Sequence, residues 1–381
     1  MRVLIFEPSL SGHHLEYLQH LYNGAVGRLD CEFVFAVPHE EWSRMKGKCS
    51  WPEARNISFL MLDDSECQGL GGGSMLAQSW KVSRYVRRIA RQCDADRVLL
   101  ISLAGAIPFL PILLPNRVKL SGIIYKIYLR APKHGLRKWL DKVRYTIMAH
   151  GRSMGKVFIL NDQRSAKELN LSYNSDKFIS LPDPVPNIDV SALRNLRQDM
   201  NIQPDSKMFL HFGAMDERKG TLEILKALCL MTKDELADKV FVFAGRVGQK
   251  IKADFYHLAD KARSTGANII VRDEFCEYGY LNDLCHTADC ILIPYLFTDL
   301  SSGALGYAAV HHTPVIGPAS GLIGELISDN SLGECVDKIS AETLKKAICE
   351  FSYNANDCFS KYAEDNSSLQ FVNTIIDNTL I

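Results

Sequence analysis

Short apolar runs alternate with amphipathic stretches along the whole chain, the pattern of parallel strands covered by helices. In the first half MRVLIF reads as a buried strand, followed by a turn at Ser9-Leu10-Ser11-Gly12 and apolar residues at helical spacing from His14 to Leu21. Further strands read at CEFVFAV, DRVLLIS, SGIIYKIYL and KVFIL. The second half restarts with KMFLHFG, the loop DERKG and the helix TLEILKALCLM, a strand–loop–helix unit. KVFVFAG, ANIIV, CILIPY and PVIG supply the later strands. Between the halves, Pro182, Pro184 and Pro186 make a stiff, extended connector, which places a domain boundary within residues 181–192. The expected fold class is α/β, two doubly wound domains facing across a cleft, with ligands at the carboxyl ends of the strands.

Length agrees, since 381 residues suit two domains or slightly more. Hydrophobic residues at 47% and charged residues at 23% exclude a disordered or fibrous chain. Formal charge is zero, yet residues 1–190 hold 26 basic and 18 acidic side chains and the remainder the reverse. That asymmetry calls for an acidic partner or membrane on the first half. Eleven cysteines, with no C-x-x-C pair, read as reduced thiols of a cytosolic protein. Cys285, His286 and Cys290 have poor zinc spacing, so no metal is expected. The opening run Val3–Phe6 is too short for a signal peptide and meets Glu7 at once. The uncharged stretch between Arg97 and Arg117 approaches spanning length. Pro108, Pro111 and Pro115 turn the reading to a strand at about 98–103, a turn, and a short apolar helix or loop.

Two clusters carry candidate chemistry. The loop Gly213-Ala214-Met215-Asp216-Glu217-Arg218-Lys219-Gly220 leaves a strand and sets two cations where a helix begins, a constellation suited to a diphosphate. The second runs from Pro294 to Glu325. Asp299, Ser301 and Ser302 stand just before a helix beginning at Gly303, and there they either bond sugar hydroxyls or simply cap the helix.

The ordered set GAMDERKG, VFVFAGR, YLNDLCHTADCILIPY, TPVIG and GLIGELI resembles the donor domain of retaining glycosyltransferases of family four. The likeness covers mainly residues 155–335, with KVFILNDQRSAKEL and SDKFISLPDPVP leading into it. It implies two Rossmann-like domains of type B. Residues 1–182 would form the acceptor side and 183–381 the nucleotide-sugar side, with the last helix free to pack back on the first. It implies sugar transfer from a nucleotide-diphosphate donor (UDP- or GDP-linked) to a glycan or lipid-linked acceptor, with no cofactor or metal. Surface-polysaccharide or glycolipid synthesis is the implied setting.

By that resemblance Arg218, Lys219 and Asp299 are the catalytic candidates. Gly213, Arg246, Ser301, Ser302, Gly303, Tyr307 and Glu325 are the donor-binding ones. Gly12, His13, His14 and Arg130 fall on the acceptor side, with Tyr128 and Lys133 beside them. A helix-start or packed role for the histidines stays open. The chain departs from the family at three positions: Ala214 replaces an arginine, while Asp299 and Tyr307 replace two glutamates eight positions apart. A nucleotide-sugar epimerase shares the architecture. A degenerate nucleotide- or glycan-binding scaffold is the non-enzymatic alternative.

Residues 126–156 hold nine Lys/Arg against Asp141 alone, with Trp139, Leu140, Val143 and Ile147 interleaved. Such a helix either lies on anionic lipid, with Arg84, Arg87, Arg88 and Arg91 in support, or faces the core with a solvated basic back. The expected location is cytoplasmic, on the inner face of the membrane. Nucleic acid is not an expected partner, for no recognised motif accompanies the basic stretch.

Overall fold

Strands that are apolar on both faces must be covered on both faces, and the chain satisfies this with two parallel sheets interleaved with helices. The computed structural model describes all residues except 131–134, 189–191, 354–355 and 381, and leaves aside the side chains at 48, 136 and 137. The first sheet holds β1 (Arg2–Phe6), β2 (Glu32–Pro38), β3 (Ile57–Leu62), β4 (Arg97–Leu100), β5 (Lys119–Ile124), β6 (Met154–Leu160) and β7 (Phe178–Leu181). Their order is β3-β2-β1-β4-β5-β6-β7. The second holds β8 (Lys207–Phe212), β9 (Lys239–Ala244), β10 (Asn268–Arg272), β11 (Cys290–Leu292), β12 (Val315–Pro318) and β13 (Gly333–Val336). Its order is β10-β9-β8-β11-β12-β13. In each sheet the first strand lies in the interior and the order reverses beside it. The loops after β1 and β4, and those after β8 and β11, therefore part at a switch point.

Two compact units result: Met1–Pro182 with Ser368–Ile381, and Asp183–Ser367. The closing helix Ser368–Leu380 belongs to the first unit, where it lies on the helix His14–Val26. Phe371, Val372, Ile375 and Ile376 are its buried face, and the Phe371 ring stands 4.9 Å from that of Tyr17.

The structure amends several expectations. Strands β3, β7 and β13 had not been read from the pattern. β3 and β13 are partly exposed edge strands; β7, at the other edge of the first sheet, is only four residues long, FISL. The run SGIIYKIYL stays in the sheet only to Ile124, the last residue registered with β6, so Tyr128 and Arg130 lie beyond the strand. The apolar stretch before Arg117 resolves into β4, a tight turn at Ala104–Ala106 and the short helix Leu110–Leu113. No helix among the described residues is long and apolar enough to cross a membrane. On the helix Leu136–His150 the buried stripe is Asp141, Tyr145, Met148 and Ala149, whereas Trp139 is 59% exposed. The apolar residues of the expected stripe are thus not its core face.

One polar side chain of β8 is fully enclosed. His211 Nδ1 lies 2.9 Å from the Leu292 carbonyl and Nε2 lies 2.9 Å from the Thr221 hydroxyl. A carbonyl only accepts, so Nδ1–H donates to it and Nε2 accepts from the threonine: a neutral ring, satisfied at both ends. The imidazole joins β8, β11 and the following helix just below the loop described next. Burial holds its pKa down at about 4.

Two predictions follow from this packing. Phe371→Ala should destabilise the first unit by about 3–5 kcal/mol in denaturant titration, the usual cost of deleting a buried phenylalanine. The neutral His211 confers stability that is fully present above its unfolded pKa of about 6.5 and is lost as pH falls toward 4. At about 1.4 kcal/mol per pKa unit, this amounts to roughly 3 kcal/mol. Urea denaturation at stepped pH should therefore show a steeper acid-side decline in the native protein than in His211→Gln, and equal slopes would refute the assignment.

Candidate functional site

The loop after β8 is built around the ammonium group of Lys219. Its Nζ donates to the Phe212 carbonyl at 3.2 Å, and its backbone N–H donates to Oδ1 of Asp216 at 3.0 Å, closing a single tight turn over Glu217–Lys219. Gly213, at φ +91°, leaves the space the ammonium occupies, since a side chain there would come within 2.6 Å of Nζ. Gly220, at φ +67°, passes so near the Pro294 carbonyl that any added carbon would overlap it. The loops after β8 and β11 are thereby pressed together, and Leu296 N–H donates to the Arg218 carbonyl at 2.9 Å.

Tyr295, just beyond β11, ties the cations to the second cluster. The Arg218 guanidinium and the Lys219 ammonium stand 5.7 and 5.6 Å from its ring centroid, within cation–π range. Its hydroxyl accepts from Ser302 Oγ at 3.3 Å. Ser302 also caps the helix Gly303–His311, accepting from Ala304 N–H. Ser301 donates instead to Oδ2 of Asp183, on the connector, at 2.7 Å. Asp299 is half-exposed on the same loop and has no side-chain partner among the described residues. Tyr307 lies on that helix with its ring edge-on to Phe212, 5.4 Å between centroids. Glu325 is half-buried on the helix Gly321–Asp329. Arg246 follows β9 directly and its side chain is exposed, while its carbonyl accepts from Met215 N–H and so joins the loops after β8 and β9.

The sequence-derived residues of the second unit therefore lie on the loops and helices that follow the strands of one sheet. Ser301 and Ser302 are already bonded within the protein, as connector tie and helix cap respectively. Tyr295 was missed from sequence. Its only signal is its place as the last residue of the run CILIPY, where a buried aromatic is unremarkable.

In the first unit the loop after β1 contains a buried charge that was also missed. Glu7 is 1% exposed; one carboxylate oxygen accepts from Ser9 N–H at 2.9 Å and the other lies 2.8 Å from His14 Nδ1. Burial pushes the Glu7 carboxyl up, and the bond from Glu7 raises the His14 imidazole. The His14 ring stacks on Tyr125, and Gly12 lies in the turn before it. His13 is exposed, 3.7 Å from Glu16. Arg130 forms a two-pronged pair with buried Asp162, both bonds 2.8 Å, so its guanidinium braces the helix that Asp162 caps. Lys133 lies outside the described residues. No group of three or more metal-ligating side chains is gathered among the described residues.

No protein-family model matches the chain, and no curated protein does. Solved structures match over nearly all of it. HepE of Anabaena, in complex with UDP and glucose, superposes with a TM-score of 0.67 at 13% identity, over 99% of this chain and 98% of that one. WaaG, a glycosyltransferase involved in lipopolysaccharide biosynthesis, gives 0.62 at 14%, over 98% and 95%. Sucrose-phosphate synthase of Thermosynechococcus elongatus gives 0.64 at 12%, over 98% and 96%. At such identities the likeness is one of architecture: two Rossmann-like units in one chain, the glycosyltransferase type B fold.

Proposed function

We propose that this protein is a retaining glycosyltransferase of family four. It moves a sugar from a nucleotide-diphosphate donor to a glycan or lipid-linked acceptor, without a metal, in surface-polysaccharide or glycolipid synthesis. The observation that carries this reading is the Lys219 ammonium held at the carboxyl end of β8 with Arg218 beside it, both over the Tyr295 ring. The UDP and glucose bound to HepE, a protein of the same fold, support it.

The chemistry asks for little else. As the glycosyl–phosphate bond breaks, negative charge grows on the leaving diphosphate while the sugar takes on oxocarbenium character. Cations fixed beforehand at that phosphate stabilise the transition state more than the ground state. Lys219 and Arg218 take this role, and exposed Arg246 stands in for the arginine that Ala214 lacks. Asp299, without a side-chain partner among the described residues, accepts from hydroxyls of the donor sugar. The acceptor attacks from the face the diphosphate leaves, and a donor phosphate oxygen takes its proton, so no protein nucleophile is required.

The helix Leu136–His150 gives the enzyme its place on the inner face of the membrane. Exposed Trp139 stands among the exposed cations Lys138 and Lys142, as in helices that rest on anionic lipid at about 1 kcal/mol per cation.

Two measurements test the reading. A thermal-shift panel of UDP, GDP, ADP and CMP should single out one nucleotide, with about 2.7 kcal/mol of stabilisation at a hundredfold excess over its Kd. Indifference to all four would count decisively against it. Lys219→Ala should lower kcat for sugar transfer by about 10²-fold or more with the fold intact. Nucleotide binding with neither transfer nor donor hydrolysis would point to the scaffold, and conversion of the donor without an acceptor would point to the epimerase.

A further inference from the structure

A second hollow lies wholly within the first unit, beyond the carboxyl end of β5. It encloses about 180 Å³; Ile124, Tyr145 and Met148 form its buried floor, with Tyr128 and exposed Lys126 at its rim. The carboxyl edge of an open parallel sheet is where ligands settle. The remaining wall is charged. Asp141 is 3% exposed, and its Oδ1 lies 3.6 Å from Nη1 of Arg144. Nη2 of Arg144 donates to the Ala104 carbonyl at 2.7 Å. Asp141 is the one acid of the helix Leu136–His150 and sits on its inward stripe, where an apolar residue would pack at lower cost.

The chemistry of the hollow selects its occupant. Among the described residues the half-buried positive charge in this wall is Arg144, and it faces Asp141, so the pair does not present an unbalanced charge to an anion. The pair offers an acceptor and donors side by side, which suits hydroxyl groups, each of which donates and accepts. The aromatic and aliphatic floor suits the C–H face of a saturated ring. The volume lies below the roughly 300–1,000 Å³ of sites for larger ligands, so it holds one ring rather than a nucleotide.

We infer that this hollow seats a single sugar ring, with its hydroxyls on Asp141 and Arg144 and its apolar face on Tyr145. Calling that ring the acceptor's terminal sugar rests on the transfer reading above; the seat itself does not.

Methyl NMR of the full chain, labelled at methionine and isoleucine, reads the seat through Met148 and Ile124. Titration with free glucose, galactose, mannose or N-acetylglucosamine should shift both methyls with at least one sugar, whereas the nucleotide singled out by the thermal-shift panel should shift Met215 of the second unit. Asp141→Asn should weaken the sugar response about tenfold or more, the scale of one lost hydrogen bond to a charged group. Ala104→Leu, which narrows the mouth, should abolish it. Both variants should keep the nucleotide response of the second unit, and unchanged methyl signals of Ile5 and Ile375, buried elsewhere in the first unit, report that it folds. Silence of Met148 with every sugar overturns the inference, as does a response that survives both substitutions or one elicited by inorganic phosphate alone. A sugar response without a response to UDP, GDP, ADP or CMP would uphold the seat and remove the nucleotide-sugar reading.

Discussion

The Lys219 ammonium, bonded to the carbonyl that ends β8, is the contact on which the candidate donor site depends. It closes the loop after β8 upon itself and brings a positive charge to the point where β8 and β11 send their chains apart. Gly213 and Gly220 lack side chains because the ammonium and the Pro294 carbonyl occupy that space. Tyr295 supplies a ring to both cations and a hydroxyl to Ser302, so loops distant in sequence are held together. Cations fixed in this way need no reorganisation when charge develops beside them, which is what the proposed transfer asks of them.

The same unit is tied to its own boundaries. Asp183 N–H donates to the Asn366 side-chain oxygen at 3.2 Å, and Val185 N–H donates to the Asn366 carbonyl at 2.9 Å. Asn366 stands one residue before the chain leaves the unit, so both crossings are fastened at one buried residue, through its side chain and its backbone carbonyl. Through Ser301 and Asp183 that fastening reaches the loop bearing Asp299. Ser301 thus connects the candidate site to the connector, a role distinct from the sugar contact its position suggests.

The departures from the family pattern acquire physical meaning in this setting. Tyr307 packs edge-on against Phe212 and so buttresses the end of β8, which a glutamate there would not do by aromatic packing. Asp299 retains a carboxylate on a shorter arm. Two of the positions where the chain departs from the family pattern thus carry different contacts, while the cationic loop of that pattern is kept.

Periodicity and composition sufficed for the α/β class, the proline-rich boundary and the loop of glycines and cations, since each is a property of neighbouring residues. Apolar runs that are buried on both faces announce themselves, whereas the edge strands β3, β7 and β13 did not, being short or half solvated. What local pattern could not hold is any pairing across sequence. Arg130 with Asp162 and Tyr295 beneath Lys219 depend on which strands lie side by side, Glu7 with His14 on how the loop after β1 folds back, and Asp141 on which face of its helix is covered. A charge looks solvated in sequence until tertiary packing takes its water away, and only then does its partner decide what it does.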